Sequence, residues 1–341
     1  MVIKSPSTQR NWLRAPRFWL GIAVSLLALY LAARDVQWSE VIAALSQADR
    51  FFLLLALGSV LLNTWAKAVR WRQLFYPTHS RLSMLDCLSA LLVGQLANSL
   101  LPARLGELTR AYFIAESTGI GKVFALATTV VEKALDSVML LLLIALLSLW
   151  MPMPSWLRRS SLILSAILAM SLLAIIILAS QRKKVVRTLE YWIERHSSLA
   201  SLRALKRLAE ASGELGALRD VRAQVKLWGG SAVIWFLAAA TNALVFGALD
   251  LKVHRLASPL LLVVLMTGVI LPTSPLRLGV FHYLCVLTLS LFGMERNVAL
   301  SYAVLLHFVV HLPIVVGGVL GLWVQNYDVR KSKMVSRGRS G

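Results

Sequence analysis

Arg70 and Arg72, then Arg104, Glu107 and Arg110, then Glu132 and Asp136, and finally Arg277 and His282 are ionisable residues set in or beside apolar runs. The chemistry open to them is recognition of an anion. A guanidinium offers a planar fork of donors that grips phosphate bidentately, while carboxylates and an imidazole nearby can balance the arginines or carry protons. The stretch Asn98 to Arg110, N-S-L-L-P-A-R-L-G-E-L-T-R, concentrates this chemistry. Its Pro and Gly interrupt a helix and free backbone N–H groups, and a half-helix N-terminus presents about half a positive charge. Charge at bilayer depth costs about 2.5–3.5 kcal/mol per residue. Arg104, Glu107 and Arg110 therefore form either a headgroup site or an ion-pair cluster that locks the segment.

The other positions carry paired readings as well. Glu132 and Asp136 stand i,i+4 on one helix face, where they either face the site or pair with Lys133 and a neighbouring arginine. Arg277 with His282 is either site or a charge snorkelling to the outer interface. Arg70 and Arg72 read first as anchors at the inner membrane surface, with phosphate contact second. His307 and His311 are also i,i+4, but without an evident third ligand they read as helix-packing hydrogen bonds rather than a metal site. Cys87 and Cys285 lie in apolar segments with no CxxC spacing, so neither a disulfide framework nor zinc is expected.

The elements that must position these residues are membrane helices. The chain has 341 residues, 58% hydrophobic and 15% charged, with a mean hydropathy of +0.70, against about 25% charged in soluble domains. The formal net charge of +20 follows the bias of cytoplasmic loops toward Lys and Arg. A nucleic-acid partner is not expected, because no basic platform interleaved with aromatics is present.

In chain order, span one is Phe18–Ala33, read as uncleaved rather than as a signal peptide. A loop at Arg34–Arg50 leads to span two, from Phe51 to about Ala68, closed by a basic loop with Lys67, Arg70, Arg72 and Arg81. Leu82–Leu101 is apolar and runs into the opening stretch. A long helix, Val123–Trp150, a Pro-rich turn and span Ser160–Ser180 follow. The insert 181–226 is basic with leucines at helical spacing, and reads as amphipathic helices on the cytoplasmic surface. Span Leu227–Leu249, the short pieces Pro259–Leu271 and Leu278–Phe292, the span Ala299–Val324 and the basic tail 325–341 complete a single membrane domain over 1–341.

Charge parity places both termini and the insert in the cytoplasm. Segment 82–122 then enters and leaves from one side, and 256–294 from the other, as a hairpin or as two short spans. Pro102-Ala-Arg104-Leu-Gly106 is echoed by Pro275-Leu-Arg277-Leu-Gly279 half a chain away. Interrupted apolar segments at matching places in two halves point to an inverted-repeat transporter with its site between them. The expected fold is all-α and polytopic, with about six full spans plus two broken or re-entrant hairpins, about eight apolar helices in all.

Four motifs in order resemble a known family. Arg70-Trp71-Arg72 looks like its RW signature. L-L-P-A-R-L-G-E-L-T-R at 100–110 looks like its P-x-R-x-G-E-x-x-R core. Glu132-Lys133-Ala-Leu-Asp136 is similar to its E-(R/K)-x-x-D motif, and Pro272-x-x-Pro275 to Gly279-Val-Phe is similar to its second-half loop. This is the lysylphosphatidylglycerol synthetase membrane-domain family of flippase-like proteins, and the resemblance covers nearly the whole chain. Leu276-Arg277 stand where the family has a Gly pair, and His282 where it has Glu. The resemblance implies movement of a lipid or lipid-linked headgroup between leaflets. The chain ends soon after its last span, so the family's soluble aminoacyl-transferase domain, and lysyl transfer, are not expected.

The expectation is thus an inner-membrane lipid transporter whose substrate has an anionic headgroup, bound by Arg104, Arg110 and Arg277 and balanced by Glu107, Glu132, Asp136 and His282. Anionic lipids contact its basic cytoplasmic surface, and homo-oligomers are left open. A membrane transferase acting on a lipid headgroup is the alternative, and a scaffold in a lipid-biosynthesis complex a weaker one. No nucleotide loop, metal pair or nucleophile motif is found, so no cofactor is expected.

Overall fold

The computed structural model describes residues 16–34, 36–77, 82–100, 105–150, scattered positions from 159 to 170, 216–218, 220–268 and 275–338. Among these residues all regular structure is helical. The helices are α1 (Pro16–Ala33), α2 (Trp38–Ser46), α3 (Arg50–Gln73), α4 (Met84–Leu100), α5 (Gly106–Thr118), α6 (Lys122–Trp150), α7 (Val221–Ala248), α8 (Ala257–Gly268), α9 (Val280–Ser290) and α10 (Arg296–Gly338), with 3-10 turns at Gly216–Leu218 and Pro275–Arg277. α3, α7 and α10 each hold a stretch long and apolar enough to cross a membrane, and α1, α4, α8 and α9 are shorter apolar helices. The chain is an all-α, multi-pass membrane protein.

Several boundaries differ from the sequence reading, each for a local reason. The loop at 34–50 contains α2, which buries Val41 and exposes Trp38 and Ile42. α3 does not stop near Ala68 but continues through Arg70, Trp71 and Arg72 to Gln73, because these arginines find partners inside the protein. α7 begins at Val221 rather than Leu227, where the Asp220 carboxylate accepts from the Ala223 N–H at 2.9 Å, an N-cap. α10 runs through Pro313 and onward to Gly338, so the basic tail continues the helix. Span 160–180 (scattered positions aside), the insert 181–226 up to its last residues, and Leu101–Arg104 lie outside the described residues.

The chain divides into two compact units. The first comprises residues 1–60, 97–105 and 238–314. Its core centres on Phe246 stacked on Tyr302, ring centroids 4.2 Å apart. Polar side chains there are spent on neighbouring backbone or hydroxyl groups: Tyr302 donates to the Asn242 carbonyl at 3.0 Å, Ser258 to that of Ala239 at 2.6 Å, and Thr241 meets Ser59 at 3.0 Å. Such bonds are the polar glue of helices in lipid. α9 packs on α8 and α1. Gly279, at φ 88°, sits so close to the Ser25 carbonyl of α1 that a Cβ would overlap it. Only glycine meets both demands.

The second unit comprises residues 61–96, 106–237 and 315–341. Its core gathers Trp71, Leu74 and Phe75 of α3 and its end with Leu91 of α4, Ile114 of α5 and Val131 of α6. The Trp71 indole donates to Thr128 at 3.0 Å, and Phe75 meets Phe124 edge-on. α4 opens with a capping pair, the Ser83 hydroxyl accepting from the Asp86 N–H and donating to its carboxylate. α10 approaches α4 through Gly317, Gly318 and Gly321, which lie against Leu92, Leu96 and Ser89. Small residues of this kind let two helices in lipid come close.

Candidate functional site

In the second unit α3, α4, α5 and α6 carry the charged motifs, and packing brings most of them together. α4 ends at Leu100 and α5 starts at Gly106, with Glu107 in its first turn and Arg110 one turn later. Gly94 of α4 makes room for that turn: a Cβ there would stand 2.9 Å from both the Gly106 carbonyl oxygen and the Arg110 Cβ. α6 presents Glu132 and Asp136 one turn apart, toward Arg70 of α3.

Glu132 is the centre of the arrangement and only 2% exposed. One oxygen lies 2.8 Å from an Arg110 terminal nitrogen, and the other 3.4 Å from Arg70. Arg70, also 2% exposed, reaches Asp136 at 2.8 Å and donates to the Ser231 hydroxyl of α7 at 2.9 Å. Arg110 lies over the Trp71 ring, 4.9 Å from its centroid, close enough for cation–π attraction. At the more open edge, Lys133 bridges Glu107 at 3.3 Å and Asp136 at 3.9 Å. Lys67, one turn before Arg70, acts electrostatically on Asp136 and Glu132.

Two features separate this network from a closed structural clamp. Arg70, Arg110 and Lys133 form ion pairs with Glu107, Glu132 and Asp136, and Lys67 adds a fourth positive charge that acts on Glu132 and Asp136. The buried Nε–H groups of both Arg70 and Arg110 also have no protein acceptor, and the 2.8 Å contact from Arg110 to Glu132 is an ion pair without hydrogen-bond alignment. Guanidinium donors left over in a dry place are the groups an anionic oxygen would take up.

Other candidates lie elsewhere. Arg104 lies outside the described residues. Arg72 turns away and donates through Nε to the Leu82 carbonyl at 2.8 Å, which ties down the end of α3. The first reading of Arg70 as a surface anchor is overturned by its burial and its two carboxylate partners. Sequence reasoning missed Lys67 and Ser231 as members; Lys67 was signalled by helical spacing, one turn from Arg70, whereas Ser231, 161 residues away, had no signal.

In the first unit Arg277 closes the 3-10 turn Pro275–Arg277, where Leu276 and Arg277 both take left-handed backbone, φ 58° and 56°. His282 is buried on α9 beside Phe281. Its ring lies tilted against His307 of α10, which in turn stacks on His311, a grouping that the sequence did not suggest beyond the i,i+4 pair. The Cys87 and Cys285 thiols are free and buried. Among the described residues no set of His, Cys, Asp and Glu has the geometry to hold a metal ion.

The family model described as "Lysylphosphatidylglycerol synthase TM region" matches residues 18–318. No curated protein matches the chain, and no solved structure does.

Proposed function

Because the chain belongs to the family of the lysylphosphatidylglycerol synthase membrane region, we propose that it moves a lipid with a phosphate-type anionic headgroup between the leaflets of its membrane. The observation that carries this reading is the cation-rich network around Glu132, with unpartnered Nε–H donors on Arg70 and Arg110. In the resting network Glu132 and Asp136 hold the two guanidiniums. A headgroup phosphate offers more acceptor oxygens than either carboxylate and takes the free donors first. Lys133 and Glu107, at the more open edge, act as the exchangeable pair through which it enters. Arg104, in the P-x-R-L-G stretch of the sequence, is proposed as a further cation for the headgroup. Arg277 and His282 provide a second polar station in the other unit. Both termini lie in the cytoplasm of an inner membrane, where the basic surface meets anionic lipid.

Reconstitution tests this. Proteoliposomes carrying fluorescent phosphatidylglycerol in one set and fluorescent phosphatidylcholine in another are quenched from outside, and the loss of protected signal reports redistribution. The parent protein is expected to move the anionic probe faster. Arg110→Gln is expected to slow it by about tenfold or more, since a hydrogen bond to a charged group contributes about 1.5–3 kcal/mol. Equal rates for the two probes, or an Arg110→Gln rate equal to the parent's in folded protein, would sink the reading. Mass spectrometry of the same lipid covers the alternative, since a covalently altered headgroup would mark a transferase.

A further inference from the structure

A second cluster, in the first unit, is separate from the ion-pair network. His282 on α9 and His307 and His311 on α10 stack in series, with ring centroids 5.0 Å apart for His282–His307 and 4.0 Å for His307–His311. Phe281 meets all three rings edge-on at 5.2 to 5.8 Å. The tautomers follow from what the rings touch. His307 Nε2 lies 3.0 Å from the Leu276 carbonyl oxygen, and His311 Nδ1 lies 3.0 Å from the His307 carbonyl oxygen. A carbonyl oxygen only accepts, so both nitrogens carry hydrogen. The basic nitrogen of each neutral ring is therefore the other one, Nδ1 of His307 and Nε2 of His311. His282 adds a buried Nδ1 with no partner.

We propose that these three imidazoles form one proton-binding site that holds a single proton and thereby controls the left-handed turn at Leu276–Arg277. One proton is the limit because two imidazoliums in rings this close repel each other strongly in a low-dielectric setting. The charged or titratable groups acting on the rings are the rings themselves and Arg277. α8, packed against α9, has no ionisable side chain, and α1 carries Arg17, whose side chain lies outside the described ones, and Tyr30, which is exposed. A bound proton thus puts a second cation beside Arg277. The residues that must yield are the ones already held in the left-handed region, where non-glycine backbone is strained. The Leu276 carbonyl is the link, since it belongs to the turn and accepts from His307. The ligand is the proton itself, and the site shares only His282 and the neighbouring Arg277 with the proposed headgroup path, none of the arginines around Glu132.

Nitrogen NMR of the parent protein in lipid nanodiscs, with labelled histidine, tests the site directly. Titration from neutral to acid pH, down to the limit at which the protein stays folded, is expected to show the three rings changing together, with a total uptake of one proton. His307→Gln is expected to alter the titration of His282 and His311 and to leave the exposed His254 unchanged. Three rings titrating independently, or none titrating while the protein stays folded, would overturn the site. The turn is read by maleimide labelling of Leu278→Cys, an exposed position next to it. Labelling, normalised at each pH to a freely exposed thiol because the thiolate is the reactive form, is expected to rise several-fold on acidification in the parent background and to stay flat with His307→Gln. A His254→Gln control that abolishes the rise, or a rise that survives His307→Gln, would overturn the coupling. Lipid transport enters neither readout, so failure here is separable from failure of the transport proposal.

Discussion

Glu132 holds two buried guanidiniums at once, and that makes it the most consequential single residue in the second unit. Removing the shared partner of a buried ion pair leaves uncompensated charge, which costs about 3–5 kcal/mol. Glu132→Gln is therefore expected to lower stability by about that amount, seen as a fall in the thermal midpoint of the purified protein in detergent. Lys133→Ala is expected to cost less than about 1 kcal/mol in the same measurement, because the Lys133 side chain is half exposed. Equal losses for the two variants would mean that Glu132 is not the centre of the network. The sequence showed both acids as a one-turn pair on α6. It did not show which arginines they meet, because Arg70 lies 62 residues away and such pairing depends on how α3 and α6 pack.

The break between α4 and α5 is the element on which the network depends. It was readable as Pro and Gly inside an apolar run, and the structure starts α5 at Gly106, as that pattern requires. The approach of the two helices depends on Gly94, whose missing Cβ leaves room for the Gly106 carbonyl and the Arg110 stem. Gly94→Ala is expected to force α5 outward, costing about 1–3 kcal/mol as overpacking, and to slow anionic lipid redistribution in proteoliposomes by drawing Arg110 off Glu132. Stability and redistribution both at the parent's level would refute this. Helix ends were less readable. Hydropathy ends α3 near Ala68 because Arg70 and Arg72 resemble a water-facing boundary. Hydropathy treats every arginine as exposed, and the rule fails where arginine is paired inside.

At the scale of the whole molecule, hydropathy identified the class, and α3, α7 and α10 have the length and apolar character it requires. Charge parity gives a topology that accessibility labelling can check. Single cysteines placed in the 181–226 insert and in the 325–341 tail are expected to react with an impermeant maleimide only after the cell membrane is opened. Labelling of either in intact cells would reverse the orientation. The grouping of His282, His307 and His311 was not readable at any scale, because it joins two helices whose sequences are individually ordinary apolar segments. The buried Arg70 also bears on how the chain is made. Its carboxylate partners lie 62 and 66 positions further on, at Glu132 and Asp136. At ~5–20 residues per second, synthesis reaches Glu132 about 3–12 s after Arg70. For that interval α3 carries a naked cation, so it must wait at the insertion machinery or the headgroup layer until α6 arrives, and a nascent chain stalled before α6 would present a degradation signal.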